Sequence, residues 1–290
     1  MKNLQFRDVL GAGSFGVVYR VYDPAYKREF ALKSVVQSKF NKNEIDCMKE
    51  VDDNNVVRLY GYDYYDGSVY LMMEFCPTSL DKFIRKKHVL THEQLLKYSY
   101  GVLKSIKACH RFNVAHLDIK PANFLIDNYD RIRVCDFGFS AIHQDEHLEE
   151  NCEGSVPFMP PEVILGYPHD PFKADVWAIG VTFFIMCTGK FPWEGDDRKT
   201  LCDNLLKKLP RTELIQCKEY AEVIEKCLAK DPNERPSIDQ LLELPIFKTP
   251  HFDLKPVHRN SMISNLRAMR HRSLPALIVS PVVCRSRTSL

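Results

Sequence analysis

No C-x-x-C pair occurs among the ten cysteines, and no apolar secretory leader precedes the first of them. That absence argues against a disulfide framework and predicts free thiols in a reducing compartment, the cytosol or the nucleus. No apolar run is long enough to cross a bilayer either. The longest, VWAIGVTFFIMC at 176–187, falls short of the roughly 20 residues a spanning helix needs and reads as a buried helix. Net charge is also scarce, +2 over 290 residues, but the balance hides an asymmetry. From residue 248 on, eight Lys or Arg face a single acid, Asp253, so this tail carries +7 and residues 1–247 carry −5. A mildly acidic body excludes a general nucleic-acid binder and leaves only the tail with the sign for anionic partners. Internal repeats and low-complexity stretches are missing before the tail, which excludes a solenoid.

What is present is a chain that is 45% apolar, enough for a large core in one or two domains. Its chemistry concentrates in residues 114–138. There VAHLDIKPANFLI places Asp118, Lys120 and Asn123 among apolar anchors, and RIRVCDFGF supplies Asp136 directly before Phe-Gly. Two carboxylates, an amide oxygen and one ammonium in a short space suit a divalent metal, phosphate and a hydroxyl to be deprotonated. Either motif alone reads as a polar turn; the two in order at this spacing do not.

HLDIKPAN followed by DFG resembles the catalytic loop and metal-binding motif of eukaryotic protein kinases. The resemblance implies that Asp118 accepts the proton of a substrate hydroxyl, that Lys120 steadies the transferring phosphoryl group, and that Asn123 and Asp136 hold Mg2+. It implies ATP as the second substrate and a protein hydroxyl as acceptor. Lys120, two residues after the base, follows the serine/threonine pattern. The TGKFPW turn resembles most the calcium/calmodulin-dependent group, with His-Leu-Asp as a variant loop.

Toward the N-terminus, residues 4–22 alternate apolar and polar around GAGSFGVVY, a pattern that predicts strand, glycine turn and strand. The same glycine spacing opens a helix in dinucleotide-binding folds, but Val17, Val18 and Tyr19 are β-formers. Taken alone the motif is equally an ordinary glycine-rich hairpin. By resemblance, Leu10, Gly11, Gly13 and Gly16 fold over phosphates. EFALKSVV predicts a third strand whose Lys33 is the phosphate-binding lysine, and a lysine in an apolar strand requires a charged partner. Glu44, opening the helical pattern NEIDCMKEV, is that candidate. Ten residues separate it from Lys33, so the helix must be short at its start.

VYLMMEF and the Cys76-Pro77 that follows resemble the last strand of the small lobe and its hinge, with Met73 as gatekeeper and Glu74 and Cys76 presenting backbone to adenine. Val18 and Ala31 above and Leu125 below would sandwich the ring; they are equally plain core residues. Glu162 is expected to pair with Arg235, and Asp175 to hold the catalytic-loop backbone. Ala122 and Ile185 stand where arginine-directed relatives carry Glu, and Phe139 goes with serine over threonine.

The expected fold is therefore α+β and bilobal, with an N-lobe at 1–75, a C-lobe at 76–247 and ATP and Mg2+ between them, followed by a basic, mostly disordered tail at 248–290. In the tail, RNSMISNLRAMRHR sets Met262, Leu266 and Met269 on one helical face among arginines. It reads either as unstructured or as a basic amphipathic helix for a calmodulin-like protein, an acidic membrane or the chain's own kinase domain. A different class of function, a pseudokinase scaffold, is favoured by the short helix at Glu44 and by Leu117, where the family has arginine. The complete set Lys33, Glu44, Asp118, Asn123 and Asp136 opposes it. From 141 to 154 there is no Ser, Thr or Tyr but five acids, so activity is expected without phosphorylation there.

Overall fold

The computed structural model describes residues 4–13, 16–87, 90–143, 149 and 154–248. Expectations for Ser14 and Phe15, for the other four acids of the stretch 141–154 and for the tail beyond 248 lie outside them. The described residues pack into two compact units, one formed by those within 4–40 and 59–75, the other by those within 41–58 and 76–248.

In the first unit, β1 (Gln5–Gly13), β2 (Gly16–Asp23), β3 (Arg28–Val36), β4 (Leu59–Tyr65) and β5 (Ser68–Glu74) form one antiparallel sheet in the order β1-β2-β3-β5-β4. Their valines, tyrosines and phenylalanines suit a pleated surface. The β4–β5 hairpin turns on Asp66 (φ 48) and Gly67 (φ 66), the two left-handed residues of a tight primed turn. Register then divides the side chains. Tyr19, Leu32 and Met72 lie opposite one another, as do Val21 and Phe30, and with Tyr60 they form the apolar cluster of this unit. The alternate positions, Val18 opposite Lys33 and Ala31 opposite Met73, necessarily point from the other face.

The second unit is mostly helical: α1 (Asn43–Glu50), α2 (Leu80–Lys87), α3 (His92–His110), α4 (Pro161–Ile164), α5 (Pro171–Thr188), α6 (Arg198–Lys207), α7 (Lys218–Cys227) and α8 (Ile238–Leu242). Two small sheets complete it. One is β6 (Thr78–Ser79), β8 (Phe124–Ile126) and β9 (Ile132–Val134) in the order β6-β8-β9; the other pairs β10 (Ala141–Ile142) with β7 (Val114–Ala115). The division expected at residue 75 left 41–58 in the small lobe. By packing these residues belong to the second unit, because Val56 bridges Val134 and Val57 N–H donates to Val134 O at 2.9 Å.

The core of this unit is α5. Asp170 caps its start by accepting from Phe172 N and Lys173 N, Pro171 opens it, and Gly189 at φ 69 ends it. It is longer than the apolar run read from the sequence, and by length and composition alone it could cross a membrane. With 72% of it buried it is a core helix. Trp177 stacks on Trp193 at 5.4 Å. The expected Glu162–Arg235 bridge is present and bidentate, at 2.6 and 2.8 Å, with the guanidinium 5.0 Å from the Trp177 ring.

Candidate active site

The site begins where β7 ends. His116, Leu117 and Asp118 follow it, then Lys120, a 3₁₀ turn at Pro121–Asn123, β8, β9 and the Asp136-Phe137-Gly138 turn. Leu117 holds a left-handed φ of 61 and Asp136 one of 65. Such a conformation costs a non-glycine residue about 1–3 kcal/mol and persists only where the surroundings over-determine it. At Leu117 the constraint is Asp175 of α5. Its carboxylate accepts His116 N at 2.8 Å and Leu117 N at 2.9 Å, and takes a further contact from His110 Nε2 at 2.9 Å. Gly154 (φ 115) closes over the same place: a Cβ there would come within 2.7 Å of Leu117 O.

His116 joins the two motifs. Asp118 N–H donates to its Nδ1 at 3.3 Å, so the ring proton lies on Nε2, which donates to Cys135 O at 3.0 Å. Ser140 Oγ donates to His116 O at 3.0 Å, and the imidazole packs against the fully buried Phe137. Residues 116–118 and the residues flanking Asp136 thus share one hydrogen-bonded frame.

Asp118 is 3% exposed. Its Oδ1 accepts from Lys120 Nζ at 3.1 Å and Ser155 Oγ at 2.9 Å, and its Oδ2 accepts from Asn123 Nδ2 at 2.8 Å and Lys120 Nζ at 2.8 Å. Lys120 Nζ also donates to Ser155 Oγ at 2.9 Å. One hydroxyl therefore gives its proton toward a carboxylate while its oxygen faces an ammonium. A substrate hydroxyl needs the same two contacts to be deprotonated and to have its developing charge balanced.

A hard divalent cation takes oxygen donors, and Mg2+ characteristically uses only one or two protein ligands beside phosphate oxygens. Asn123 and Asp136 fit that pattern. Both contacts of the Asn123 amide nitrogen go to Asp118, its carbonyl oxygen and Oδ2 at 2.8 Å each. The amide oxygen is thereby left free of Asp118, and Asp136 is half-buried. Cys135 Sγ donates to Asn123 O at 3.3 Å.

The first unit places Val18, Ala31, Lys33 and Met73 on one face of its sheet, with Gly11 opposite Val18 and Gly13 opposite Gly16. Gly16 is required by the backbone: at φ 137 a Cβ would lie 2.0 Å from Ser34 O. At Gly11 and Gly13 a Cβ would meet nothing within 4 Å, so no packing among the described residues demands glycine there. Leu10 is half-buried, as is Glu74 at the end of β5. In the second unit Cys76 is buried and Leu125 is half-buried opposite Ser79. Lys33 and Glu44 fall in different units, 7% and 3% exposed. Sequence reasoning missed His110, His116 and Ser140. A His two residues before Asp118 was a visible signal for His116; the other two act only through the fold.

A family model described as "Protein kinase domain" matches residues 4–247. Among curated proteins, the chain is 28% identical over 83% of its length to the probable serine/threonine-protein kinase KCC4 of Saccharomyces cerevisiae, covering 25% of that protein. It is 30% identical over 81% of its length to the serine/threonine-protein kinase KIC1 of the same yeast, covering 23% of it. The dual specificity mitogen-activated protein kinase kinase sek-1 of Caenorhabditis elegans is 30% identical over 82% of the chain and 76% of its own length. The chain spans about a quarter of the length of the two yeast relatives.

Proposed function

Because this chain belongs to the protein kinase family, we propose that it transfers the γ-phosphoryl group of ATP to a serine hydroxyl of a protein, threonine being the lesser acceptor. The observation that carries this reading is the placement of Ser155 Oγ, 2.9 Å from both Asp118 Oδ1 and Lys120 Nζ. A substrate hydroxyl taking that place gives its proton to Asp118 as its oxygen bonds to phosphorus and the bond to ADP breaks. Lys120 balances the charge on the oxygens. Asp175 and His116 fix the loop so that neither group has to reorganise at the moment of transfer. Asn123 and Asp136 would hold Mg2+, which when bound neutralises phosphate charge. Lys33, with Leu10, Gly11, Gly13, Gly16, Val18, Ala31, Met73 and Glu74, is the first unit's contribution to nucleotide binding in this reading, and Cys76 and Leu125 that of the second.

The TGKFPW turn supports grouping with the calcium/calmodulin-dependent kinases, and the basic stretch at 259–272 is proposed as a contact for an acidic calmodulin-like partner. A cytosolic or nuclear location accords with the eight described cysteines, all free thiols. Transfer of radiolabel from ATP to a generic protein substrate tests the central reading. Label should pass with the natural chain and not with Asp136→Ala; equal label with both proteins, or none with either, is the result expected of a scaffold.

A further inference from the structure

Residues 141–154 carry five acids and no Ser, Thr or Tyr, and one of those acids, Glu149, lies among the described residues. Its backbone is fixed: Glu149 N–H donates to His169 O at 2.8 Å and His169 N–H to Glu149 O at 3.0 Å, an isolated antiparallel bridge to a residue 5% exposed. The carboxylate, with its side chain 17% exposed, points toward His143, whose Nε2 lies 4.0 Å from Oε2.

His143 is as constrained. Its N–H donates to Asn113 O at 2.8 Å, and its ring stands edge-on to Phe172, whose other neighbour at 4.9 Å is the His110 that contacts Asp175. The side chain is 11% exposed, and Nε2 is buried without a hydrogen-bond partner among the described residues. A buried ring nitrogen in that state is costly. It faces the Glu149 carboxylate, 4.0 Å away, in a setting largely shielded from solvent. His143 directly follows β10, whose pairing with β7 leads into His116 and Asp118. Glu149, Leu117 and Ser155 also line a common cavity of about 190 Å³. A contact at this position therefore connects β10 and Glu149 to the residues around Leu117 and Ser155.

We propose that His143 and Glu149 are a positioning pair that keeps Ser155 and the loop at Leu117–Asp118 in their substrate-accepting arrangement without a phosphate. This inference rests on the reading of the chain as a kinase and adds to it two residues that keep that arrangement.

The test compares His143→Gln, Glu149→Gln, the double variant and His143→Lys in the full chain. It reads KM for a protein substrate, KM for ATP, and the rate of proteolytic cleavage between residues 139 and 154. Each Gln variant should raise KM for the protein substrate about fivefold or more and leave KM for ATP within about twofold. The double variant should be no worse than the worse single one, and His143→Lys should restore the natural value. Additive losses, unchanged single variants, or a lysine that does not rescue would each overturn the pair. Should the natural chain transfer no phosphate, the kinase reading fails, and proteolysis still decides on the pair. Faster cleavage in the single variants, matched by the double and slowed again by lysine, supports it; cleavage indifferent to all four refutes it.

Discussion

Ser155 is at once a stand-in for substrate and a liability. Its hydroxyl makes two contacts with charged groups, each worth about 1.5–3 kcal/mol. Ser155→Ala should therefore lower kcat/KM about tenfold or more through a less fixed Asp118 and Lys120. Ser155→Asp should be worse still, because it sets a second carboxylate against Asp118, and phosphate there, at about −1.5 to −2 charge, has the same sign. A Ser155→Asp variant as active as the natural chain would show that Ser155 is not seated on the base. Thiols give a second contrast at this scale. Burial pushes Cys47 and Cys227 up to about 12 and Cys109 well above its usual value, so these should resist alkylation at neutral pH. Half-buried Cys135, beside Asp136, should react with ATP-site electrophiles and be protected by Mg-ATP. Mass spectrometry of native protein checks this, and equal labelling with and without nucleotide would contradict the pocket assignment.

At the scale of elements, the β8–β9 hairpin matters most, because it carries Asn123 at one end and Asp136 at the other. Asp127 organises it, accepting Tyr129 N and Arg131 N and both the Arg131 and Arg133 guanidiniums. Burial pushes its carboxyl up, but these partners outweigh burial and hold it below its ordinary value. A carboxylate whose pKa is lower in the folded than in the unfolded chain contributes stability above the ordinary carboxylate range. It loses that contribution as pH falls through the folded value. Asp127→Ala should cost about 3 kcal/mol at neutral pH, since it removes the carboxylate that the buried Arg133 faces at 3.0 Å. The variant's stability should also fall less steeply with acid than that of the natural chain. Denaturant unfolding between pH 7 and pH 3 measures both, and parallel curves for the two proteins would remove Asp127 from this role. The sequence showed the hairpin's apolar strands but not this hub, because an Asp before a turn carries no mark of the arginines that converge on it.

For the molecule as a whole, what could be read in advance was whatever chemistry confines to a short stretch. Asp118, Lys120, Asn123 and Asp136 lie within 114–138, and the strand-turn-strand around Gly11 and Gly16 announces itself by alternation. Two distant pairings were also legible, Glu162 with Arg235 and Asp175 with the loop backbone, because each partner sits in a recognisable motif. His110 and Ser140 were not, since only the packing of α3 and α5 brings His110 to Asp175 and only the β10–β7 pairing brings Ser140 to His116 O. The grouping of Val56 and Val57 with the second unit was hidden for the same reason: they belong with Val134 by contact, not by sequence order. In the proposed reading the site needs no phosphate on residues 141–154, and one measurement tests that directly. Protein made in bacteria and stripped by phosphatase is assayed for transfer of labelled phosphate beside Asp118→Asn. The stripped natural chain should keep its full activity, and the variant should fall by about 10² to 10⁴; equal transfer by the two, or loss of activity on stripping, would contradict the account.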